Sequence, residues 1–434
     1  MTLLEKITSR SAIVGVVGLG YVGLPLAVLQ ANTGFSVIGF DEVPRKVDLV
    51  NQGVSYILDI KGKDLAQVVE NQRFMATQDY SRLKECDIVL ICVPTPLTPH
   101  KEPDISAIEK VSQYLAQYAQ PHILVILEST SYPGTTEEVI LPKLEKAGLR
   151  VGHDLFLAFS PERVDPGNHT FGIHNTSKLV GGVTSACRDM AVAFYAQSVL
   201  NLFPVSSPRV AELAKVFENV FRSVNIALVN ELAMLCDRMN VGVFEVIDAA
   251  STKNFGFMPF YPGPGVGGHC VPLDPYYLAW KAKAYDLHPR FIELAGEINN
   301  RMPYFVVNKL QRLLNAQGRC LKGATILILG VTYKSDSGDP RESPSTKIMT
   351  LLQQEGAILK YVDPFTPTFL VGKEELKGEN LTQEVLSNCH CALILTAHTQ
   401  FDYDLIVRHA PLVFDTRNGT RSVKESRERI FLLA

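Results

Sequence analysis

The sequence predicts an α/β protein with two doubly wound parallel-sheet domains joined by a central helical region. Short runs rich in Val and Ile alternate with helical stretches from Ala12 to about Pro204, as expected of parallel strands buried on both faces. The same alternation returns after Gly323, and a long helical stretch separates the two. We therefore predict domains at residues 1–205, 206–318 and 319–434.

Short apolar runs mark the strands of the two predicted sheets. They lie at residues 13–17, 36–40, 87–93, 122–127, 155–159, 178–181, 201–205, 325–329, 358–362, 392–395 and 412–414. Residues 210–240 contain no Gly or Pro and are apolar on more than one face, which predicts one long helix buried in a subunit interface. A second helical stretch covers residues 276–314, with breaks expected at Pro289 and Pro303.

The composition excludes several classes of protein. A hydrophobic fraction of 46% and a charged fraction of 20% are ordinary for globular chains and exclude disorder. The 42 basic and 45 acidic residues give a net charge of −3, so a chain-wide basic footprint for nucleic acid is absent. The 8 cysteines form no CxxC pair, which predicts reduced cytosolic thiols and no metal site. Residues 12–29 are apolar but too rich in Gly for a membrane span, so we expect a cytoplasmic protein without a membrane partner.

A glycine motif after the first predicted strand indicates dinucleotide binding. The segment 18–23 reads Gly-Leu-Gly-Tyr-Val-Gly and opens a helix, so its backbone can approach a pyrophosphate closely. Asp41 ends the next strand, where a carboxylate accepts ribose hydroxyls and repels a 2′-phosphate, which favours NAD over NADP. The alternative is a purely structural turn, and Lys46 fits a cofactor contact or a solvated lysine equally well.

Polar residues follow three more predicted strands. Thr95 follows the strand at 87–93, and Ser129 with Thr130 follows the strand at 122–127. Ligands of open α/β sheets bind at these carboxyl ends, although ordinary turn chemistry explains the same residues. Glu162 and Arg163 follow the strand at 155–159 and fit either proton transfer with phosphate binding or an exposed ion pair.

The central region carries two candidate catalytic groups. Lys215, Asn219 and Arg222 share one helix face, which suits either an oxyanion and a phosphate or a solvated stripe. Residues 260–270 form a glycine-rich segment that ends at Cys270, with Asp274 four positions later. The Cys270 thiol is either a nucleophile or a small core residue.

The last domain lacks a second GxGxxG motif and suits a mononucleotide. Lys334 and Arg341 follow its first strand, and Arg417 follows its last strand. Each arginine fits either a ligand contact or an ordinary surface position.

Together these segments resemble the nucleotide-sugar 6-dehydrogenases of the UDP-glucose dehydrogenase superfamily. The resemblance covers nearly the whole chain, in the right order. It rests on Gly-Leu-Gly-Tyr-Val-Gly-Leu-Pro at 18–25, Val-Pro-Thr-Pro at 93–96, Glu-Ser-Thr at 128–130, Ser-Pro-Glu-Arg at 160–163, Lys215 with Asn219, Gly-Gly-His-Cys at 267–270 with Asp274, and Arg-Glu-Ser-Pro at 341–344. The loop at 335–340 departs from the more basic version of this family, so no contacts are carried over to it.

The resemblance implies two Rossmann-like domains, with NAD in the first, UDP in the last and a homodimer built on the central helix. It implies a nucleophile at Cys270, oxyanion stabilisation by Lys215 and Asn219, a water positioned by Asp274 and Thr130, and thioester hydrolysis assisted by Glu162. The implied cofactor contacts are Gly18, Gly20, Tyr21, Val22, Gly23, Asp41, Lys46, Thr95, Ser129, Thr130 and Arg341. The implied substrate contacts are Glu162, Arg163, Val164, Lys215, Asn219, Arg222, Tyr261, Gly265, Tyr333, Lys334 and Arg417.

The segment 262–277 is most similar to the UDP-N-acetylhexosamine branch of bacterial surface polysaccharide and O-antigen synthesis. We therefore predict four-electron oxidation of UDP-N-acetyl-D-glucosamine at C6. The alternatives are UDP-N-acetylmannosamine, UDP-N-acetylgalactosamine and UDP-glucose. A two-electron hydroxyacid dehydrogenase would need no cysteine, and a silent NAD-binding sensor would not need Lys215, Asn219 and Asp274.

Overall fold

The computed structural model describes residues 1–57, 60–164, 172–268 and 271–434, and it divides into two units. Unit 1 comprises Met1–Glu218 with Tyr276–Leu287, and unit 2 comprises Asn219–Pro275 with His288–Ala434. The predicted three-part division into domains remains a prediction.

Unit 1 is built on an eight-stranded sheet. Its strands are β1 Ile13–Val17, β2 Ser36–Phe40, β3 Phe74–Thr77, β4 Ile88–Ile91, β5 Ile123–Leu127, β6 Leu155–Phe159, β7 Lys178–Gly182 and β8 Leu202–Val205. Its helices are α1 Leu3–Thr8, α2 Gly23–Thr33, α3 Pro44–Asn51, α4 Gly62–Glu70, α5 Ser106–Tyr118, α6 Leu141–Lys146 and α7 Ser185–Tyr195. A π-helical turn, Thr136–Ile140, precedes α6.

The strand order β3-β2-β1-β4-β5-β6-β7-β8 confirms the doubly wound prediction. The chain reverses its winding between β1 and β4, where a ligand crevice is expected. Among the described strands of this sheet, only β6 and β7 pair antiparallel, so β7 begins at the edge where β6 ends. Val14 and Val16 join the core on one face of β1 and Val17 joins the other, as predicted for a sheet covered on both faces.

The central helices are α8 Pro208–Met239, α9 Val243–Ser251, α10 Asp274–Ala282 and α11 Arg290–Ala316. The long helix predicted at 210–240 is confirmed as α8, and Pro289 caps α11 as a predicted break. The predicted break at Pro303 is wrong, because Pro303 lies inside α11. A proline costs one backbone hydrogen bond there, but the buried apolar face of α11 continues through Met302 and Val306 and holds the helix together.

Unit 2 carries a five-stranded parallel sheet in the order β10-β9-β13-β14-β15 and a two-stranded sheet of β11 and β12. The strands are β9 Thr325–Leu329, β10 Ile358–Val362, β11 Thr368–Val371, β12 Glu374–Lys377, β13 Cys391–Ile394, β14 Val413–Asp415 and β15 Ile430–Leu432. The helices are α12 Pro344–Gln354, α13 Gln383–Ser387 and α14 Tyr403–His409. In this sheet the winding reverses between β9 and β13, which predicts a ligand site at their carboxyl ends.

None of the helices in the described part of the chain is both long enough and apolar enough to span a bilayer.

Candidate active site

The turn between β1 and α2 has three glycines with three different surroundings. A Cβ on Gly18 (φ 91°) would lie 2.5 Å from the Cys92 carbonyl oxygen, and one on Gly23 would lie 1.8 Å from the Gly18 carbonyl oxygen. Both glycines are therefore required by the packing of the protein itself. A Cβ on Gly20 would meet no atom within 4 Å, so the space beside Gly20 is open to a ligand. No side chain caps the start of α2, beside Tyr21 and Val22, and this helix end suits a pyrophosphate.

The carboxylate of Asp41 lies against the same turn. Its Oδ2 accepts hydrogen bonds from the Leu19 backbone N–H at 2.9 Å and from the Lys46 ammonium at 3.0 Å. Asp41 is 6% exposed, whereas the Lys46 side chain is 35% exposed. The side chains predicted for the ribose end of the cofactor are thus together at the carboxyl edge of β2. The Asp41 carboxylate beside the glycine turn can accept a ribose hydroxyl and would repel a 2′-phosphate. This arrangement therefore fits a dinucleotide with a free 2′-hydroxyl.

The ends of β4 and β5 meet as the sequence predicts. The Thr95 hydroxyl donates to the Thr130 carbonyl oxygen at 2.7 Å, and the Ser129 hydroxyl donates to the Val93 carbonyl oxygen at 2.7 Å. These two hydroxyls therefore tie the strand ends together, while the Thr130 side chain is only half-buried. The hydroxyls of Thr95 and Ser129 already donate their protons to these carbonyl oxygens, so toward a cofactor they can act only as acceptors unless these bonds break.

The segment after β6 holds its carboxylate by backbone groups. Glu162 Oε1 accepts from the N–H groups of Arg163 at 2.7 Å and Val164 at 2.8 Å. The other oxygen, Glu162 Oε2, is buried and has no hydrogen-bond partner among the described residues. The Arg163 guanidinium pairs with Glu218 at 2.6 Å and donates to the Ser177 carbonyl oxygen at 2.9 Å. The geometry therefore leaves Glu162 Oε2 available to accept a proton.

Helix α8 carries the predicted Lys215, Asn219 and Arg222 in different environments. Lys215 is 9% exposed, and within the described residues no hydrogen bond or ion pair reaches its ammonium. Asn219 is buried and donates through Nδ2 to Asp274 Oδ2 at 2.6 Å, whereas Arg222 is exposed. The Lys215 side chain is thus largely buried while its ammonium has no protein partner among the described residues, which suits an anionic group that binds there. The solvated-stripe alternative fits Arg222 but not Lys215 or Asn219.

The glycine-rich segment packs in unit 2 against the residues that follow β9. Gly265 has φ 141°, and a Cβ on Gly268 would lie 2.8 Å from the ring of Tyr333. The Gly263 N–H donates to Asn230 Oδ1 at 3.0 Å, and Asn230 in turn donates to Asn299 Oδ1 at 2.9 Å. The loop is thus fixed from two sides. The predicted nucleophile Cys270 and its neighbour His269 lie outside the described residues.

A cavity of about 360 Å³ opens in unit 2 at the carboxyl ends of β9, β13 and β14. It is lined by Phe244, Asp248, Tyr261, Pro262, Tyr333, Lys334, Ser335, Thr396, Ala397, Arg417, Asn418 and Arg421. The Tyr261 ring lies parallel to Phe244 at 6.3 Å between centroids, and its hydroxyl donates to Asp248 at 2.7 Å. Aromatic faces beside three cations suit a nucleotide base and its phosphates. The site lies at the winding reversal, as the topology predicts.

Arg417 is buried in the wall of this cavity. Burial lowers the pKa of Arg417 to about 10, and the nearby Asp415 partly opposes that shift, so the guanidinium stays charged near neutral pH. Its Nε donates to the Leu395 carbonyl oxygen at 3.1 Å, and a Cβ on Gly263 would lie 2.3 Å from its Nη1. Gly263 therefore makes room for this cation. Arg341, also in unit 2, is exposed and pairs with Asp339 at 2.8 Å, so it does not line the cavity.

Sequence reasoning missed three groups of side chains. Asn418 and Arg421 line the cavity beside Arg417, and only a structure tells them from surface residues. Asn230 and Asn299 are buried polar residues, and a polar residue on an otherwise apolar helix face is the sequence signal that indicates them. Lys178 and Glu128 form a buried ion pair at 2.8 Å, which a charged residue at the start of an apolar strand could have indicated.

Three comparisons identify relatives of this arrangement. The chain matches the UDP-glucose/GDP-mannose dehydrogenase family in its NAD binding domain (residues 12–199), central domain (residues 209–301) and UDP binding domain (residues 327–422). It is 36% identical over 394 residues to a UDP-N-acetyl-D-glucosamine 6-dehydrogenase of Pseudomonas aeruginosa, covering 89% of this chain and 91% of that one.

Two further relatives are named for sugars other than N-acetyl-D-glucosamine. An NDP-N-acetyl-D-galactosaminuronic acid dehydrogenase of Ralstonia nicotianae is 35% identical over 422 residues, which cover 93% of this chain and 95% of that protein. The solved UDP-D-ManNAc dehydrogenase of Pyrococcus horikoshii superimposes with a TM-score of 0.87 at 31% identity, over 97% of this chain and 98% of that one.

Proposed function

The chain belongs to the UDP-glucose/GDP-mannose dehydrogenase family, and from that premise we propose that it oxidises C6 of a UDP-N-acetylhexosamine to the carboxylate. It is an NAD-dependent oxidoreductase of the nucleotide-sugar 6-dehydrogenase family and acts on a UDP-sugar. The proposed substrate is UDP-N-acetyl-D-glucosamine. The alternatives are UDP-N-acetylmannosamine and UDP-N-acetylgalactosamine, which relatives named for N-acetylmannosamine and N-acetylgalactosaminuronic acid support, and UDP-glucose.

The Gly18–Gly23 turn and Asp41 would hold NAD, because Gly20 faces open space and the carboxylate adjoins the turn. Bound NAD accepts one hydride, so the four-electron conversion of an alcohol to a carboxylate consumes two equivalents. Thr95, Ser129 and Thr130 line the adjoining strand ends and would orient the nicotinamide end. Lys46 would share Asp41 with the ribose hydroxyls, and Arg341 would reach the cofactor after leaving Asp339.

The single observation that carries the chemistry is Lys215, a largely buried side chain whose ammonium has no hydrogen bond or ion pair with the described residues. An oxygen at C6 becomes negative when its proton leaves and again when a thiolate adds to the aldehyde. Lys215 and Asn219 would stabilise that oxyanion in both steps. A nearby cation also favours the thiolate of Cys270.

The aldehyde has to be held until the second oxidation. Attack by the Cys270 thiolate on the aldehyde carbon gives a thiohemiacetal, and loss of its hydride gives a thioester. Water then forms the new C–O bond while the C–S bond breaks and the thiolate leaves. Asp274 and Thr130 would place that water, and Glu162 would take its proton through Oε2, which no described residue hydrogen-bonds.

The cavity of unit 2 would hold the nucleotide of the substrate. Tyr261 and Phe244 offer aromatic faces to the base, while Lys334 and Arg417 would bind the phosphates. Tyr333 and Gly265 shape the loop beside the cavity, and Arg163, Val164 and Arg222 are the remaining proposed substrate contacts.

The substrate is tested by measuring NADH production with a panel of UDP-sugars. We expect turnover with UDP-N-acetylglucosamine, two NADH per uronic acid and no free aldehyde. Cys270→Ala should bind both ligands yet form almost no acid, and Cys270→Ser is expected to stall as an ester. Preference for UDP-glucose would contradict the substrate, whereas wild-type acid formation by Cys270→Ala would contradict the nucleophile.

We also propose a homodimer built on α8. One side of α8 exposes a row of large apolar side chains, among them Phe217 (61% exposed) and Leu228 (62% exposed). The row continues through Leu213, Phe221 and Leu235. An apolar row of this length is typical of a surface that a partner covers.

A further inference from the structure

A cluster of ionisable side chains is buried at the carboxyl edge of the unit 1 sheet and has no place in the mechanism above. The Lys178 ammonium lies 2.8 Å from Glu128 Oε2, and the two side chains are 5% and 0% exposed. The Tyr195 hydroxyl donates to the other oxygen of Glu128. Burying an ion pair rarely stabilises a protein more than an apolar pair of the same size does, so the cluster calls for another explanation.

The topology of the sheet explains why these groups meet. Glu128 directly follows β5, and Glu162 follows β6, so both lie at the edge where these strands end. Because β7 runs antiparallel to β6, its first residue, Lys178, lies at that edge too. A parallel β7 would have placed Lys178 at the opposite edge of the sheet.

Lys178 makes different contacts with its two neighbouring carboxylates, Glu128 and Glu162. It makes a hydrogen bond to Glu128, but its Nζ lies 3.9 Å from Glu162 Oε2, which is an ion pair without a hydrogen bond. Nζ also lies 3.5 Å from the Pro161 carbonyl oxygen, so it contacts the backbone of the segment that carries Glu162. Glu162 thus gains a nearby positive charge while its Oε2 keeps its lone pairs for another donor.

Groups of both charge signs and neutral groups surround Glu162. The ionisable groups that face Glu162 are Lys178 on β7, Glu128 after β5 and Cys92 after β4, with Arg163 as chain neighbour. Tyr195 on α7 contacts Glu128. Burial lowers the pKa of Lys178, but Glu128 and Glu162 raise it above its usual value, so it remains a cation. Burial raises the pKa values of the Cys92 thiol and the Tyr195 phenol, which therefore stay neutral.

We propose that Lys178 is a positioning residue that orients the Glu162 carboxylate for the hydrolysis of the thioester. In that step water forms the C–O bond, Glu162 Oε2 takes the proton of the water, and the C–S bond breaks with release of the thiolate. Glu128 and Tyr195 hold Lys178 in place and touch no reacting atom. The inference rests on the role proposed above for Glu162.

Lys178→Met combined with Glu128→Gln removes both charges of the pair, so neither charge is left buried alone. Glu128→Gln by itself keeps Lys178 beside Glu162, because the amide oxygen of glutamine can still accept the hydrogen bond from Nζ. Lys309→Met, which breaks a part-buried ion pair with Asp237 in unit 2, controls for the general loss of an ion pair. Thioester hydrolysis is followed at pH 7 in single turnovers, by intact-protein mass for the covalent adduct and by acid release for the product.

We expect Glu128→Gln and Lys309→Met to hydrolyse the thioester within about twofold of the wild-type rate. The double variant should slow by at least about tenfold at pH 7 and accumulate the covalent adduct, as Glu162→Gln should. Affinities for NAD and UDP should not change.

A double variant that hydrolyses the thioester at the rate of Glu128→Gln, without accumulating the adduct, would overturn the proposal. If the methionine variant does not fold, Lys178→Gln in the same Glu128→Gln background carries the same expectation. A wild type that never forms the adduct, together with acid formation by Cys270→Ala, would overturn the proposed function itself. The two failures are distinguishable, because the first leaves the wild-type adduct intact.

Discussion

At the scale of single residues, the position of Asp41 predicts cofactor choice. Asp41→Ala should weaken NAD binding by about 1.5–3 kcal/mol and relax the discrimination against NADP, because a charged acceptor for ribose hydroxyls is lost. Asp41→Asn is the matched control, since it can still accept from the Leu19 N–H but carries no charge. Dissociation constants for both cofactors measure the effect, and unchanged values in both variants would contradict the ribose role.

Substitution of Lys215 should lower turnover without lowering the melting temperature. Lys215→Met should lose at least about 10²-fold in turnover, the usual effect of one oxyanion donor. Its melting temperature should stay close to that of the wild type, because the substitution removes no hydrogen bond or ion pair with the described residues and keeps an apolar side chain of similar length. Turnover near the wild-type value would support a solvated lysine instead. A large fall in melting temperature would indicate that Lys215 stabilises the fold.

Lys178 and Glu128 show what residue patterns alone do not reveal. Glu128 belongs to the Glu-Ser-Thr motif that supports the family resemblance, and Lys178 is the first residue of a predicted strand. The sequence therefore marks the position of each residue but not their contact. Their pairing depends on the antiparallel direction of β7, which no local pattern specifies. The same holds for Glu162, whose unpartnered oxygen is a property of the folded segment.

At the scale of elements, the turn between β1 and α2 predicts opposite outcomes for two glycines. Gly20→Ala should keep the melting temperature but weaken NAD binding, because the added methyl group enters the open space meant for pyrophosphate. Gly23→Ala should destabilise the protein, because its Cβ would lie 1.8 Å from the Gly18 carbonyl oxygen. Thermal melting and cofactor titration of both variants separate the effects. Equal cofactor loss in two equally stable variants would contradict this assignment.

The ends of β9, β10 and β13 are joined by Asp363 and His398, and this junction is sensitive to pH. Burial would raise the pKa of Asp363, but hydrogen bonds from His398 at 3.1 Å, Val331 at 2.8 Å and Phe365 at 2.8 Å bring it below the usual 3.8. The His398 Nδ1 accepts the Asp336 N–H at 3.0 Å, which leaves Nε2 to donate to Asp363.

A carboxyl group with a lowered pKa in the folded state stabilises it above the pKa of the unfolded state, near 3.8. That contribution is lost as pH falls through the lower folded value. Asp363→Asn should therefore destabilise the protein by about 1–3 kcal/mol at pH 7, and the difference from wild type should shrink below about pH 4. Denaturant unfolding at several pH values measures this, and a difference independent of pH would contradict the linkage.

At the scale of the whole molecule, the exposed row on α8 predicts the oligomeric state. Leu228→Glu should convert a dimer into a monomer, because a charge would be buried in the apolar contact. Leu370→Glu is the control, since Leu370 on β11 is 60% exposed and Leu228 is 62% exposed. Light scattering after size exclusion gives the mass. A wild type that elutes as a monomer would contradict the dimer.

The secondary structure was largely predictable because it depends on local pattern. Five predicted strands, among them β1, β2 and β6, match the structure residue for residue, since apolar runs between glycines and helices mark strands buried on both faces. The strands β3, β11, β12 and β15 were missed because they are short, and β12 is made largely of charged residues. Their pairing partners, not their own composition, make them strands.

The sequence by itself determined the chemical groups and the strand ends that carry them, because glycine turns, prolines and apolar periodicity act over a few residues. It placed Gly18–Gly23 before a helix, Asp41 after β2 and Arg417 after β14. Only the tertiary structure decided which of these groups meet and which stay charged, because those outcomes depend on strands far apart in the chain. The open space beside Gly20, the buried guanidinium of Arg417 and the Lys178–Glu128 pair all arise from such long-range packing.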